Sequence, residues 1–246
     1  MKKIICVLLA MIMVLSFAAC GKEKVEEPKY DASAKSEGVM SYAQYIASEE
    51  GSEVTIEAYV QAKQSWWNDS ISVFLQDPDG GYFVYNMACS KEDAENLVQG
   101  TKIKVTGHKT EWEGQIRLAD ANFSFGEGTW IAEAVDVSDK LGTEEIKNFQ
   151  NSFVSINNVT IEAAPRYKWD GSGIAGDDIY FDVSVGGAKY TFMVESRLCG
   201  KNTNVYKAVQ ELKKGETVNM EGFPYWYGDI CPNITNVIKQ ETEEKK

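Results

Sequence analysis

Apolar positions fall along this chain in three regimes. Residues 4–17 form a nearly unbroken apolar run, interrupted only by Cys6 and Ser16, behind a positive start at Lys2 and Lys3. Further on, apolar side chains recur at every second position: Val54, Ile56, Ala58 and Val60, then Ile71, Val73 and Leu75, then Phe83 and Tyr85, then Ile103 and Val105, then Ile116 and Leu118. That period predicts strands with one face buried. Short stretches with helical character stand between them: 41–49, opened by Ser41 as an N-cap, 90–98, 143–150, opened by Thr143, and 205–213.

The pattern repeats. Residues 54–58 and 159–163 both read VTIEA. Each copy is followed by two β-rich runs around a glycine pair, Gly80-Gly81 or Gly186-Gly187, then by Cys89 or Cys199, then by a helix-like segment. The stretch from Gly100 to Gly107 (GTKIKVTG) then matches that from Gly215 to Gly222 (GETVNMEG), and Trp112 or Trp226 comes after it. So many ordered agreements mark a duplicated unit. The second copy is longer around its helix, where added residues cost little.

Each unit therefore predicts strand, strand, strand, helix, strand, strand. That is the order of the OB barrel, whose closure leaves no free sheet edge. Phe74-Leu75-Gln76-Asp77, Gly80-Gly81 and the Gly100-to-Gly107 strand resemble OB-fold modules of exported bacterial proteins. The second unit matches less closely because it lacks the LQD triplet. More broadly the chain resembles two-module lipoproteins of Firmicutes, which implies a fold and a location but no activity. The expected fold is all-β with short helices: two tandem five-stranded OB-fold barrels after a signal peptide and a flexible tether. The expected boundaries are 1–19 for the signal, 20–38 for the lipidated cysteine and tether, 39–126 for module 1, 127–142 for the linker, 143–239 for module 2 and 240–246 for a polar tail. The linker has no low-complexity character, so the modules are expected to pack closely.

The start of the chain has the positive, apolar and small-residue regions of a secretory signal. Its apolar run is too short for a permanent membrane span. Ala18-Ala19-Cys20-Gly21 resembles the lipobox of bacterial lipoproteins, with Phe17 where that motif usually has Leu. The expectation is an exported protein, anchored on the extracytoplasmic side of a membrane through lipid on Cys20.

The chain has 25 basic and 37 acidic residues, a formal charge of −12, and loss of Lys2 and Lys3 with the signal makes it more negative. Such a field repels phosphate backbones, which argues against nucleic acid as a partner. Cys89, Cys199 and Cys231 lack CxxC or Cys/His metal spacing. They read as buried small hydrophobes, with a Cys199–Cys231 disulfide as the alternative. The single histidine, His108, is placed at the turn between strands four and five, without an identifiable orienting partner. Asp69, Asp77 and Asp79 lack the remaining oxygen ligands of a calcium loop, and Asp77-Pro78-Asp79-Gly80 reads as a turn. No residue is assigned to catalysis, to a metal or to a cofactor, and an enzyme is not expected.

The aromatic residues are the candidate site. Trp66 and Trp67 follow strand one, with Tyr167 and Trp169 at the equivalent place in unit 2, while Trp112 and Tyr225-Trp226-Tyr227 lie in the hairpins between strands four and five. OB modules bind oligosaccharides and oligonucleotides on the strand two–three face between these two loops. Trp66, Trp67, Trp112, Trp169, Tyr225 and Trp226 are the proposed ligand contacts, with burial in the barrel mouths as the alternative. The expected function is non-catalytic binding of a neutral glycan or an envelope protein, with nucleic-acid binding or a structural assembly role as alternatives.

Overall fold

The structure is a computed structural model and describes residues 31–239. The expected signal, Cys20, the first part of the expected tether and the expected tail lie outside the described residues.

Module 1 contains α1 (Tyr42–Ala47), β1 (Glu53–Lys63), β2 (Ser70–Asp77), β3 (Gly80–Ala88), α2 (Lys91–Asn96), β4 (Thr101–Trp112) and β5 (Gln115–Thr129). These strands close into a barrel in the order β1-β2-β3-β5-β4. β1 seals it by pairing with β4 from Glu53↔His108 to Tyr59↔Lys102, and β3 meets β5 in parallel at Val84↔Leu118. Module 1 thus has the OB order that the sequence predicts.

Module 2 contains β6 (Val135–Asp136), a 3-10 turn (Glu144–Phe149), β7 (Val154–Ile161), β8 (Arg166–Tyr167), β9 (Ile179–Val185), β10 (Ala188–Val194), α3 (Asn204–Gln210), β11 (Thr217–Phe223), β12 (Trp226–Tyr227), β13 (Asp229–Ile230) and β14 (Asn233–Lys239). Its main sheet has seven strands in the order β6-β7-β11-β14-β10-β9-β8, with an additional β7–β9 pairing. That pairing spans only Thr160↔Ser184 and Ile161↔Val183. Two equal five-stranded barrels are therefore not what the chain builds. The long segment between β7 and β9 folds back as β8 along the edge of β9, and β6 adds to β7, so the two sheets close unevenly.

The helices form where expected but are shorter. Ser41 caps α1 in a capping box with Gln44, Ser90 caps α2, and Thr203 caps α3. The segment after Thr143 is a 3-10 turn. His108 lies within β4 rather than at a turn, and the β4–β5 reversal falls at Glu113 and Gly114, both at positive φ. β4 bulges between Thr106 and His108, which carries the strand past the expected end.

The two glycine pairs do different work. Gly186 and Gly187 are the turn of the β9–β10 hairpin, at φ +60° and +87°, where side chains are strained. Gly80 and Gly81 belong to β3, and a Cβ on Gly81 would lie 2.3 Å from the backbone carbon of Asn151. Its glycine is required by close approach of the second module. Asp77 makes the preceding turn: its Oδ1 accepts from the backbone N–H of Asp79 (2.8 Å) and Gly80 (3.0 Å), and Tyr82 Oη donates to Oδ2 (2.8 Å). Lys35 also pairs with this buried carboxylate. Around it, residues of the 31–38 stretch lie against the barrel: Ser36 Oγ donates to Glu57 Oε1 (2.8 Å), and Lys102 Nζ donates to Ala34 O (3.3 Å).

Each module has its own apolar core, and a third cluster joins them. Phe74 of β2 and Phe83 of β3 pack on Phe223 of β11, with Phe153 and Tyr225 alongside. Polar contacts lock the same junction. The Phe153 N–H donates to Gln76 Oε1 (2.7 Å), the Trp226 N–H to Gln115 Oε1 (2.9 Å), and the Ser65 N–H to Arg197 O (2.7 Å). Cys89, Cys199 and Cys231 are buried free thiols, so the Cys199–Cys231 disulfide does not form.

Candidate ligand-binding cleft

The face between strands two and three meets opposite fates in the two modules. In module 1 that face carries Phe74, Gln76 and Phe83, and module 2 covers it. In module 2 the equivalent β9–β10 face stays open. β9 alternates strictly between buried and half-buried positions, as a one-sided strand must. Trp169 in the loop before β9 and Tyr227 in the loop after β11 flank this face, 58 % and 62 % exposed.

A broad groove of about 760 Å³ runs over the β9–β10 face, past Glu162, Asp182, Lys189, Tyr190 and Lys214. It meets a smaller cleft of about 180 Å³ at the junction of the modules. Trp169, Tyr227 and Cys231 border both. Module 1 contributes Tyr85 from β3, Trp112 from the end of β4, and Gln64 from just after β1. Trp112 meets Tyr227 edge-on at 5.1 Å between ring centroids, and the Gly228 N–H donates to Glu113 O (2.9 Å), so the two hairpin loops hold each other. The Arg117 guanidinium lies 4.5 Å from the centroid of Tyr85 and 5.3 Å from that of Trp112. Trp169 meets Tyr180 edge-on at 5.4 Å, under the Arg166 guanidinium at 5.7 Å. Arg166 is itself fixed by Asp182 at 2.9 Å.

The floor of the smaller cleft is polar and incompletely paired. Gln64 Nε2 donates to Glu195 Oε1 at 2.6 Å, which leaves Gln64 Oε1 without a protein partner. Asn233 Oδ1 and Arg197 Nη2 are also buried and unpartnered. Burial, and secondarily the charge of Asp178, push Glu195 up to about 7, against the pull of its Gln64 hydrogen bond and of Arg197. Asp178 is engaged by the N–H and Oγ of Ser196, both at 2.7 Å. Burial raises the Cys231 thiol to about 12 and, with help from Glu195, the Cys199 thiol to about 11, which leaves neither suited to nucleophilic or metal chemistry at neutral pH. Among the described residues no cluster of three His, Cys, Asp or Glu side chains is placed to hold a metal ion.

The residues named from the sequence divide between core and cleft. Trp112 and Trp169 border the cleft, and Tyr225 forms part of its wall against Phe83. Trp226 is 8 % exposed and belongs to the core of module 2. It moves from site to core because β12 turns its ring inward, leaving Tyr227 outside. Trp66 packs on the module 1 core and donates from Nε1 to Cys89 O (2.9 Å); Trp67 is exposed but away from the cleft. Tyr85, Tyr180, Gln64, Glu195, Arg197 and Asn233 were not expected at a site, because they converge only through the docking of the two modules.

No protein family matches this chain, and no curated protein sequence matches it. Similar solved structures include a murine DNA binding protein bound with double-stranded DNA, at 9 % identity, covering 78 % of this chain and 99 % of that one, with a TM-score of 0.36. The tetrameric p202 HIN2 is 10 % identical, with 77 % and 96 % coverage and a TM-score of 0.35. The wild-type single-stranded DNA binding protein from Thermus aquaticus is 13 % identical, with 80 % and 97 % coverage and a TM-score of 0.28. The expectation set against nucleic acid is corrected here, because two of these structures are described as DNA binding proteins, and none of them bears on a glycan or a lipid anchor. Net charge was a poor guide because it averages over the surface, whereas a ligand meets the local groups of a groove.

Proposed function

We propose that this chain is an exported, non-catalytic lipoprotein that binds an unpaired nucleic acid strand along the β9–β10 face and into the junction cleft. The carrying observation is the row of accessible rings, Trp169, Tyr227, Trp112 and Tyr85, that one groove gathers from both modules. Base–aromatic stacking contributes about 1–3 kcal/mol per base and tolerates any sequence. Cations are available at Lys189 and Lys214 along the groove and at Arg197 in the cleft, but acids interleave with them. Stacking therefore outweighs phosphate contact, and binding depends only shallowly on salt. Export rests on the signal-like residues 1–19 and the lipobox-like Cys20.

The test is a fluorescence titration of the detergent-solubilised chain with a single-stranded DNA oligomer at several salt concentrations. Saturable quenching with a shallow salt slope is expected. Silence with DNA, or quenching by a neutral cell-wall oligosaccharide alone, overturns the reading.

A further inference from the structure

Asp178 and Glu195 stand at the same level on neighbouring strands. The β9–β10 ladder runs to Ile179↔Val194, and these two acids are the next residue on each strand. By alternation they share the outward face of the sheet with the pairs Tyr180↔Met193 and Asp182↔Thr191. Asp182 and Thr191 line the broad groove, whereas Asp178 and Glu195 line the smaller cleft. A ligand that follows this face from groove to cleft therefore passes two carboxyl groups set side by side. Like charges at opposed positions repel, and aromatic walls screen that repulsion less than water does. The pair is also handled differently from its neighbour. Asp182 is met by Arg166 at 2.9 Å and by the Thr191 hydroxyl at 2.8 Å. Among the described residues no lysine or arginine forms an ion pair with Asp178 or Glu195. Asp178 Oδ1 accepts instead from the N–H and Oγ of Ser196, and Glu195 Oε1 from Gln64 Nε2 across the module junction. A proton on the other oxygen of Glu195 leaves that junction bond in place.

We propose that the opposed carboxyl groups of Asp178 and Glu195 make strand binding proton-gated: the cleft holds a nucleic acid strand tightly when one of the pair is protonated and weakly when both are charged. The proposal rests on the nucleic-acid reading of the groove and adds its regulation. Two carboxylates repel a passing phosphate, and one proton halves that charge while the rings that stack the bases stay in place. Glu195 is the seat of the proton, since burial first and the charge of Asp178 second push its carboxyl up to about 7. The titratable groups packed around it from other elements do not change charge near that pH. Burial pushes Tyr180 of β9 upward, Tyr225 before β12 to about 12, Cys199 after β10 to about 11, and Cys231 before β14 to about 12. Arg197 beside Glu195, and Arg117 over the rings of Tyr85 and Trp112, are fixed positive charges. They remain to attract a phosphate once the pair is half neutral. Linkage makes the effect reciprocal: a bound strand favours the protonated pair, so binding near pH 7 takes up protons.

The test is the anisotropy of a thymidine oligomer carrying a pH-insensitive dye, titrated with the full chain in detergent from pH 5.5 to pH 8. Affinity is expected to rise roughly threefold to tenfold as pH falls through about 7, one charge about 7 Å from a phosphate at an effective dielectric of ~40 being worth about that factor. The rise is expected to shrink at high salt. Glu195→Gln should bind at pH 8 as the native chain binds at pH 5.5, with no pH slope left. Asp178→Asn should keep a slope but move its midpoint lower, a shift that a purely structural role of Asp178 would not produce. Thermal melting of both variants reports whether the fold is intact, and proton uptake by the native chain on binding at pH 7 checks the gate without any substitution. Strand binding that is flat with pH, or a slope that survives in Glu195→Gln, overturns the gate and leaves the strand-binding groove standing. Absence of strand binding at every pH overturns the groove reading, and the gate falls with it.

Discussion

Phe74 of module 1 and Phe223 of module 2 stack face to face, their ring centroids 4.3 Å apart and their planes 15° from parallel. Both side chains are almost wholly buried, and they sit at the middle of the cluster that joins the modules. Two modules that share such a contact cannot fold or move as independent beads.

Phe223→Ala is therefore expected to cost about 3–5 kcal/mol, the usual range for a core phenylalanine. Thermal or urea unfolding should change from one transition towards two as the modules uncouple. Retention of a single transition at an unchanged midpoint would show that the junction contributes little.

Gly81→Ala attacks the same junction through the backbone. The new Cβ falls 2.3 Å from Asn151 C and 2.4 Å from Ser152 N, and backbone atoms cannot swing aside. Roughly 1–3 kcal/mol of destabilisation is expected, together with weaker strand binding, because the cleft needs both modules in register. Gly38→Ala, where a Cβ meets nothing within 4 Å, is the space-matched control, since it costs only the local strain of its positive φ.

Glu195 gives a pH signature. Its carboxyl is pushed from 4.5 to about 7, so the folded chain holds a proton that the unfolded chain has released over that interval. The contribution of this group to stability is then greatest below pH 4.5, falls as pH rises towards 7, and levels off above it, by a total of ~3 kcal/mol. Glu195→Gln should flatten the difference. The check is chemical denaturation of both proteins at pH 5 and pH 8, and equal slopes with pH would contradict the assignment.

The thiols should be silent until the protein opens. Cys89 and Cys199 are raised to about 11 and Cys231 to about 12, in each case chiefly by burial. Ellman's reagent at pH 8 is expected to label none of the three in the native fragment 21–246 and all three in guanidinium. Rapid native labelling would mean that the cleft wall at Cys231 opens readily.

Trp226→Ala and Trp169→Ala should separate core from site. The first removes a buried ring of module 2 and should cost about 3–5 kcal/mol. The second should leave the melting temperature within a few degrees and weaken DNA binding by roughly tenfold, one stacked base being worth 1–3 kcal/mol.

Much of the fold was legible in the sequence and much of the site was not. The repeat placed the strands of module 1 and the main strands of module 2, and Ser41 and Ser90 marked α1 and α2, while the segment after Thr143 is a 3-10 turn. The uneven closure of module 2 could not be read, because nothing in Arg166-Tyr167 distinguishes a loop from a two-residue strand added to an edge. The site was missed at the junction, yet a signal for it existed. β2 and β3 contain the runs VFL and YFVY, in which neighbouring residues are apolar, and a strand buried on both faces reads that way. β9 reads IYFDVSV and keeps its alternation. That contrast identifies which module gives up its outer face and which keeps it. Gln64, Glu195 and Arg197 carried no local signal, since each acquires its role from a partner more than a hundred residues away.

The covered face of module 1 has one further consequence. A tandem duplication ordinarily offers two equivalent docking places and the avidity that comes from engaging both at once. Here the first copy has spent that face on the second copy, so on the proposed reading the duplicated chain offers one docking place. Saturation is then expected at one ligand per chain, and any strengthening by multiple contacts must arise from several chains side by side.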